Sequence, residues 1–222
     1  MNPVQSKKLV RRVATVLMMS AAPFLAAEHA RAQAACTPAT SAGAPVINGM
    51  VTCTGGSITQ NGTAGYGTGA EGENQIAVQS SATVTGAAQG FLLGDLNTIT
   101  NNGTVEATGT NGIAIEAQTA GASINISNFG TTRAAESGGT AIKADQVLLS
   151  NAATGTISAF GVAVDGRGLG GSSVSMGPGG RGNFGLIEAT GVGGIAIRSA
   201  ADANIINSGT IQANGSQGTA IQ

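Results

Sequence analysis

Apolar residues recur along the chain in short patches of alternating apolar and polar positions, and none keeps a helical period over ten residues. One motif, Gly-x-Ala-Ile/Val-z, occupies residues 112–116, 139–143, 161–165, 194–198 and 218–222. Residues 75–79, Gln-Ile-Ala-Val-Gln, read as a sixth copy that lacks only the leading Gly. A second motif, Asn-x-Gly-Thr/Leu-Ile/Val, occupies 101–105, 183–187 and 207–211, with a looser copy at 128–132. Residues 151–157 carry it with two extra residues before Gly155. The motifs alternate, and a third apolar patch usually follows, as in Ile124-x-Ile126, Val147-x-Leu149, Val174-x-Met176 and Ala203-x-Ile205.

The glycine of the second motif falls at 103, 130, 155, 185 and 209, in steps of 27, 25, 30 and 24 residues. An earlier Gly62 adds a step of 41, read as one coil with an inserted loop around Gly86 to Asp95. One unit of three short strands cannot bury its apolar face alone. Stacked units can, because each strand pairs with its counterpart in the next coil. The pattern therefore predicts an all-β chain, a single-stranded parallel β-helix (β-solenoid) of about six coils. Period 2 points Ile113 and Ile115, Thr140 and Ile142, Val162 and Val164, and Ile195 and Ile197 inward, and the intervening alanines outward.

Stacking also predicts two side-chain ladders. Asn101, Asn128, Asn183 and Asn207 occupy one corner, and Asn151 joins them if its two extra residues bulge outward. The position after the inward Ile/Val reads Gln79, Glu116, Lys143, Asp165, Arg198 and Gln222. Its four central members alternate in sign, which at ~4.8 Å between strands sets each charge beside an opposite one and fixes the coil register.

The first 34 residues read as a signal peptide. Lys7, Lys8, Arg11 and Arg12 precede an apolar run from Val13 to Ala27, shorter than the ~20 residues of a membrane span. Small residues at 30, 32 and 34 put cleavage near Ala32 or Ala34, the latter preferred. The remaining 188 residues hold five cations against ten acids, no His, and all 36 Gly. Cys36 and Cys53, an even pair in an exported chain, read as a disulfide in an N-terminal capping segment of residues 35–57, with repeats over 58–222.

Composition narrows the chemistry. With 9% charged and 3% aromatic residues, the chain is neither a disordered polyelectrolyte nor a basic nucleic-acid binder. A mature chain without His has no Ser–His or Cys–His nucleophile system. Gly67 to Gly72 spell Gly-x-Gly-x-x-Gly, but a strand-like patch follows where a dinucleotide fingerprint needs a helix, so this is read as a loop. The one charged cluster, Lys143, Asp145, Asp165 and Arg167, mixes signs that neutralise one another. No catalytic residue, cofactor or metal is expected.

The leader followed by "NNGTVEATGTNGIAIEA" (101–117) and "NSGTIQANGSQGTAIQ" (207–222) resembles the passenger region of type V autotransporters of Gram-negative bacteria, over roughly residues 50–222. The resemblance implies a right-handed β-helix, exported and displayed at the cell surface, with a host-surface or matrix ligand that it does not specify. It also implies a C-terminal outer-membrane β-barrel, which these 222 residues do not contain, so the sequence reads as an N-terminal fragment. Two functional expectations follow: a structural, adhesin-like stalk, or a β-helix polysaccharide-processing enzyme, which would need a groove of clustered acids with Arg or Lys.

Overall fold

The computed structural model describes residues 34–167, 173–177 and 181–222, and residues 1–33 of the expected signal peptide, Ala32 among them, lie outside these. The described residues form three parallel sheets, which the chain visits in turn, coil after coil. The first sheet stacks Met50–Thr54, Gln75–Val78, Asn97–Asn101, Ser123–Asn128, Gln146–Asn151, Ser173–Met176 and Asp202–Ile205, with Gly182–Asn183 also pairing to the fifth of these. The second stacks Ser57–Ile58, Thr83–Gly86, Thr104–Ala107, Thr131–Ala134, Thr156–Ala159, Leu186–Ala189 and Thr210–Ala213. The third stacks Ala64–Tyr66, Gln89–Leu93, Ile113–Ala117, Thr140–Lys143, Val162–Gly166, Ile195–Ser199 and Thr219–Ile221. The protein is a parallel β-solenoid.

The described residues make seven coils, against the expected six or so. Ser57 pairs with Thr83 and Thr83 with Thr104, so two coils separate Ser57 from Thr104, and Gly62, which follows a second-sheet strand, is not the counterpart of Gly103, which precedes one. The region around Gly86 to Asp95 is not an inserted loop: it supplies a strand of the third sheet whose Phe91 and Leu93 are fully buried. Residues 75–78 lie in the first sheet, with Ile76 beside Ile99, and not in the third. The partner of Ile113–Glu116 in that coil is Gln89–Leu92, so Leu92 and not Gln79 precedes Glu116 in the charge row. Short patches of apolar residues occur in all three sheets, so they do not by themselves tell one sheet from another. Only corner chemistry separates them, namely Asn-x-Gly after the first sheet and Gly before the third, and residues 75–79 carry neither.

The interior is one continuous apolar column, from Val51, Ile58 and Tyr66 at one end to Ile187 and Ile197 near the other. Tyr66 and Phe91 meet edge to face with ring centroids 6.0 Å apart. Strict alternation fails at the start of the third sheet. Ala114, Ala141, Ala163 and Ala196 are fully buried in the core, while Ile113 and Ile195 are only half-buried. The second sheet crowds this row: a Cβ on Gly90 would stand 2.9 Å from Cγ1 of Val105. A methyl group or a hydrogen is what the space takes.

The same crowding explains the glycine of Asn-x-Gly. A Cβ on Gly130 would lie 2.1 Å from the carbonyl oxygen of Gly103, and one on Gly209 would lie 2.3 Å from that of Gly185. Close approach of successive corners, not a left-handed backbone, excludes a side chain there.

At the N-terminal end, Ala35–Thr37 runs antiparallel along Met50–Thr54. The first coil starts at Met50, so part of the segment assigned to the cap belongs to the stack. In the last coil, by contrast, Thr219–Ile221 is exposed along its whole length.

Candidate functional site

Three constructions depart from plain apolar stacking: the N-terminal cap, the side-chain ladders and a notch on one corner. In the cap, Cys36 and Cys53 face each other across the antiparallel pair and are joined as a disulfide. The Gln60 side chain clasps the same strand, accepting from the Cys36 N–H at 2.8 Å and donating to its carbonyl at 3.1 Å. The Gly67–Gly72 loop has a structural occupant of its own. Glu71 is fully buried; its Oε2 accepts from the backbone N–H of Thr68 and of Gly69, and its Oε1 from the hydroxyls of Thr40 and Thr68. Burial opposes the charge, but these hydrogen bonds outweigh it and hold the carboxyl below its ordinary pKa. Nearby, Tyr66 donates to the carbonyl of Pro38 at 3.1 Å. Burial first, and then the charge of Glu71, pushes its phenol up to about 12.

Asn101, Asn128, Asn151, Asn183 and Asn207 form one continuous ladder. Each Nδ2 donates to the Oδ1 of the next, at 2.9, 2.9, 2.8 and 2.7 Å in chain order. The first four are fully buried. Each of those four also donates to the backbone carbonyl of Thr131, Thr156, Leu186 or Thr210 respectively, which ties two coils at one corner. A second, shorter Asn pair went unnoticed in the sequence: Asn97 accepts from the Asn74 N–H and donates to the Glu71 carbonyl.

Glu116, Lys143, Asp165 and Arg198 occupy one row of the third sheet in that order. They do not bond as an unbroken chain. Lys143 Nζ meets Glu116 Oε1 at 3.0 Å, and Glu116 Oε2 accepts from Gln89. Asp165 is instead clamped by two arginines, with Arg167 Nε at 3.0 Å and Arg198 Nε at 3.1 Å. A further ion pair, Glu106 with Arg133, lies in the second sheet; its sign alternation spans only two coils, too few to stand out in the sequence.

The notch arises from unequal corner lengths. The connection from the third sheet back to the first takes five residues after Ala117 and two after Lys143. The two-residue corner, Ala144 and Asp145, therefore sits recessed. A cavity of about 330 Å³ opens over it, lined among others by Glu116, Gln118, Lys143, Ala144, Asp145 and Arg167. Asp145 is 7% exposed and accepts from the backbone N–H of Gly121. Among the described residues no cation stands within ion-pair distance of it. Lys143 is thus paired with Glu116, Asp165 is shared by two arginines, and Asp145 has no ionic partner among the described residues. The signal was present in the sequence as the spacing between Lys143 and Val147, the shortest such interval between these two sheets.

No family model, curated protein or solved structure matches the chain.

Proposed function

We propose that the protein is the β-helical passenger, or stalk, of an autotransporter-type secreted protein, carried through the inner membrane by residues 1–34 and presented outside the cell. The observation that supports this reading best is the unbroken column of seven coils with a covalently closed N-terminal cap. A disulfide in the cap suits an oxidising compartment. A stack in which every coil contacts only its neighbours makes a rigid spacer whose length grows with coil number. A buried Asn ladder and separate ion pairs tie successive coils, the means of holding a rod in register.

The test is location. The complete gene is expressed in a Gram-negative host, and intact cells are labelled with an antibody against residues 101–117 and treated with protease. Leader cleavage near Ala34, an oxidised Cys36–Cys53 bond and labelling of intact cells are the expected results. Uncleaved chain with reduced cysteines in the cytoplasm would overturn the reading.

A further inference from the structure

We infer that the notch over Ala144 and Asp145 is a binding site for a small zwitterion, a free amino acid or dipeptide. Two charges around this cavity lack full compensation, and they are opposite in sign. Asp165 carries one negative charge but is shared by Arg167 and Arg198, which leaves one positive charge over. Arg167 lines the notch with 48% of its side chain exposed. Asp145 lines the same cavity, is almost wholly buried, and has no cationic partner among the described residues. Glu116 and Lys143, on the same rim, satisfy each other.

A buried carboxylate without a counter-charge is costly, and a bound cation relieves that cost. One carboxylate is too few for calcium, which takes six to eight oxygen ligands. It suits an ammonium, which needs only hydrogen-bond acceptors at short range. Guanidinium N–H groups that Asp165 does not use can in turn donate to a carboxylate. Arg167 and Asp145 do not pair directly, so a molecule bearing both charges spans a gap that the protein leaves open. Ala117, Ala120 and Ala144 also line the cavity, and a volume of about 330 Å³ is at the small end of ligand cavities. The site needs no particular cellular location, so it stands or falls separately from the stalk reading.

The test uses the mature, disulfide-bonded protein labelled with nitrogen-15, with glycylglycine as probe. Saturable shifts of the Gly121, Ala144 and Asp145 amides are expected. N-acetylglycylglycine, which lacks the ammonium, and glycinamide, which lacks the carboxylate, should each bind at least about tenfold more weakly. Glycine in place of the dipeptide separates a single amino acid from a peptide as the preferred ligand. Asp145→Asn keeps an oxygen for the Gly121 N–H yet should weaken glycylglycine binding about tenfold, and so should Arg167→Gln. Arg133→Gln, in the second sheet, should bind as the parent does. The remaining amide spectrum reports whether each variant is folded. No saturable shift with either probe, equal binding of the blocked analogues, or parent-like binding by both notch variants would overturn the site.

Discussion

The amide of Asn128 donates to Oδ1 of Asn151 at 2.9 Å across 23 residues of sequence, and both side chains are fully buried. Asn128 also accepts from Asn101 and from the Thr132 hydroxyl. Asn128→Ala therefore removes one acceptor of the Asn101 amide, which keeps its bond to the Thr131 carbonyl, and removes the donor to the buried Oδ1 of Asn151. A loss of about 3 kcal/mol is expected, from the cost of leaving buried polar groups unpaired. Asn207 is exposed and bonds only one neighbour, so Asn207→Ala should cost less than about 1 kcal/mol. Urea midpoints of the two variants check the contrast, and equal losses would refute the ladder as a source of stability.

Glycines differ in what they exclude. Gly130→Ala drives a methyl group into the carbonyl of Gly103, whereas a Cβ on Gly56 meets nothing within 4 Å. Gly130→Ala should lower stability by about 2 kcal/mol or more, through overpacking of backbone that cannot move aside. Gly56→Ala should be neutral or slightly stabilising, because it restricts the unfolded chain at an open position. Thermal unfolding of both variants under one buffer gives the comparison.

The repeat was legible because stacking imposes identical demands on equivalent positions. Asn, Gly and Ala recur wherever a corner amide, a close carbonyl or a crowded core row requires them. The coil count was not legible, because the second coil writes its third strand as Gln-Gly-Phe-Leu-Leu and has no Asn-x-Gly corner. Phe91 fills with one ring the space that Ile115 fills in the next coil, so shape was kept while the motif was lost. Ala114 and its equivalents are buried where period 2 alone points them outward, because the second sheet closely approaches that row. The notch lay hidden for a further reason. It is made by a corner that is shorter than its neighbours, and apolar patterning is silent about corner length.

Lys143 lies between Glu116 and Asp165 in the stack, at ~4.8 Å per strand. Its ammonium is partly exposed, so loss of the Glu116 pair in Lys143→Ala should cost no more than about 1 kcal/mol. Lys143→Glu instead sets three carboxylates in consecutive coils, and should destabilise distinctly more. The difference between the two variants should shrink as salt is raised, because screening acts on the repulsion and not on the lost packing. Denaturation at low and high sodium chloride is the measurement, and a salt-independent difference would rule out charge as the cause.

The cap should fail at both extremes of pH, through different residues. Glu71 titrates below its ordinary value of 4.5 because Thr40, Thr68 and Gly69 hydrogen-bond its charged form. Its contribution is present above the pKa of the unfolded chain and is lost as pH falls through the lower folded value. Tyr66 is raised from 10.0 to about 12. Its contribution is complete below pH 10, where both states are neutral, and is lost as pH rises through about 12, where the unfolded phenolate is favoured. The rise from 10.0 to about 12 corresponds to roughly 3 kcal/mol lost across that alkaline interval. Tyr66→Phe should remove the alkaline loss and leave the acid one, at a constant cost from the missing hydrogen bond to Pro38. Glu71→Gln should be less stable than the parent at neutral pH, because its amide cannot accept from both backbone N–H groups and both hydroxyls. The gap between Glu71→Gln and parent should begin to close below pH 4.5, where the unfolded carboxyl takes up its proton, and go on closing down to the lower folded value. Unfolding midpoints from pH 3 to 12, followed alongside amide exchange of Thr68 and Gly69, separate the two residues. A Glu71→Gln curve parallel to the parent's down to pH 3 would show that the buried carboxylate does not govern the acid limb.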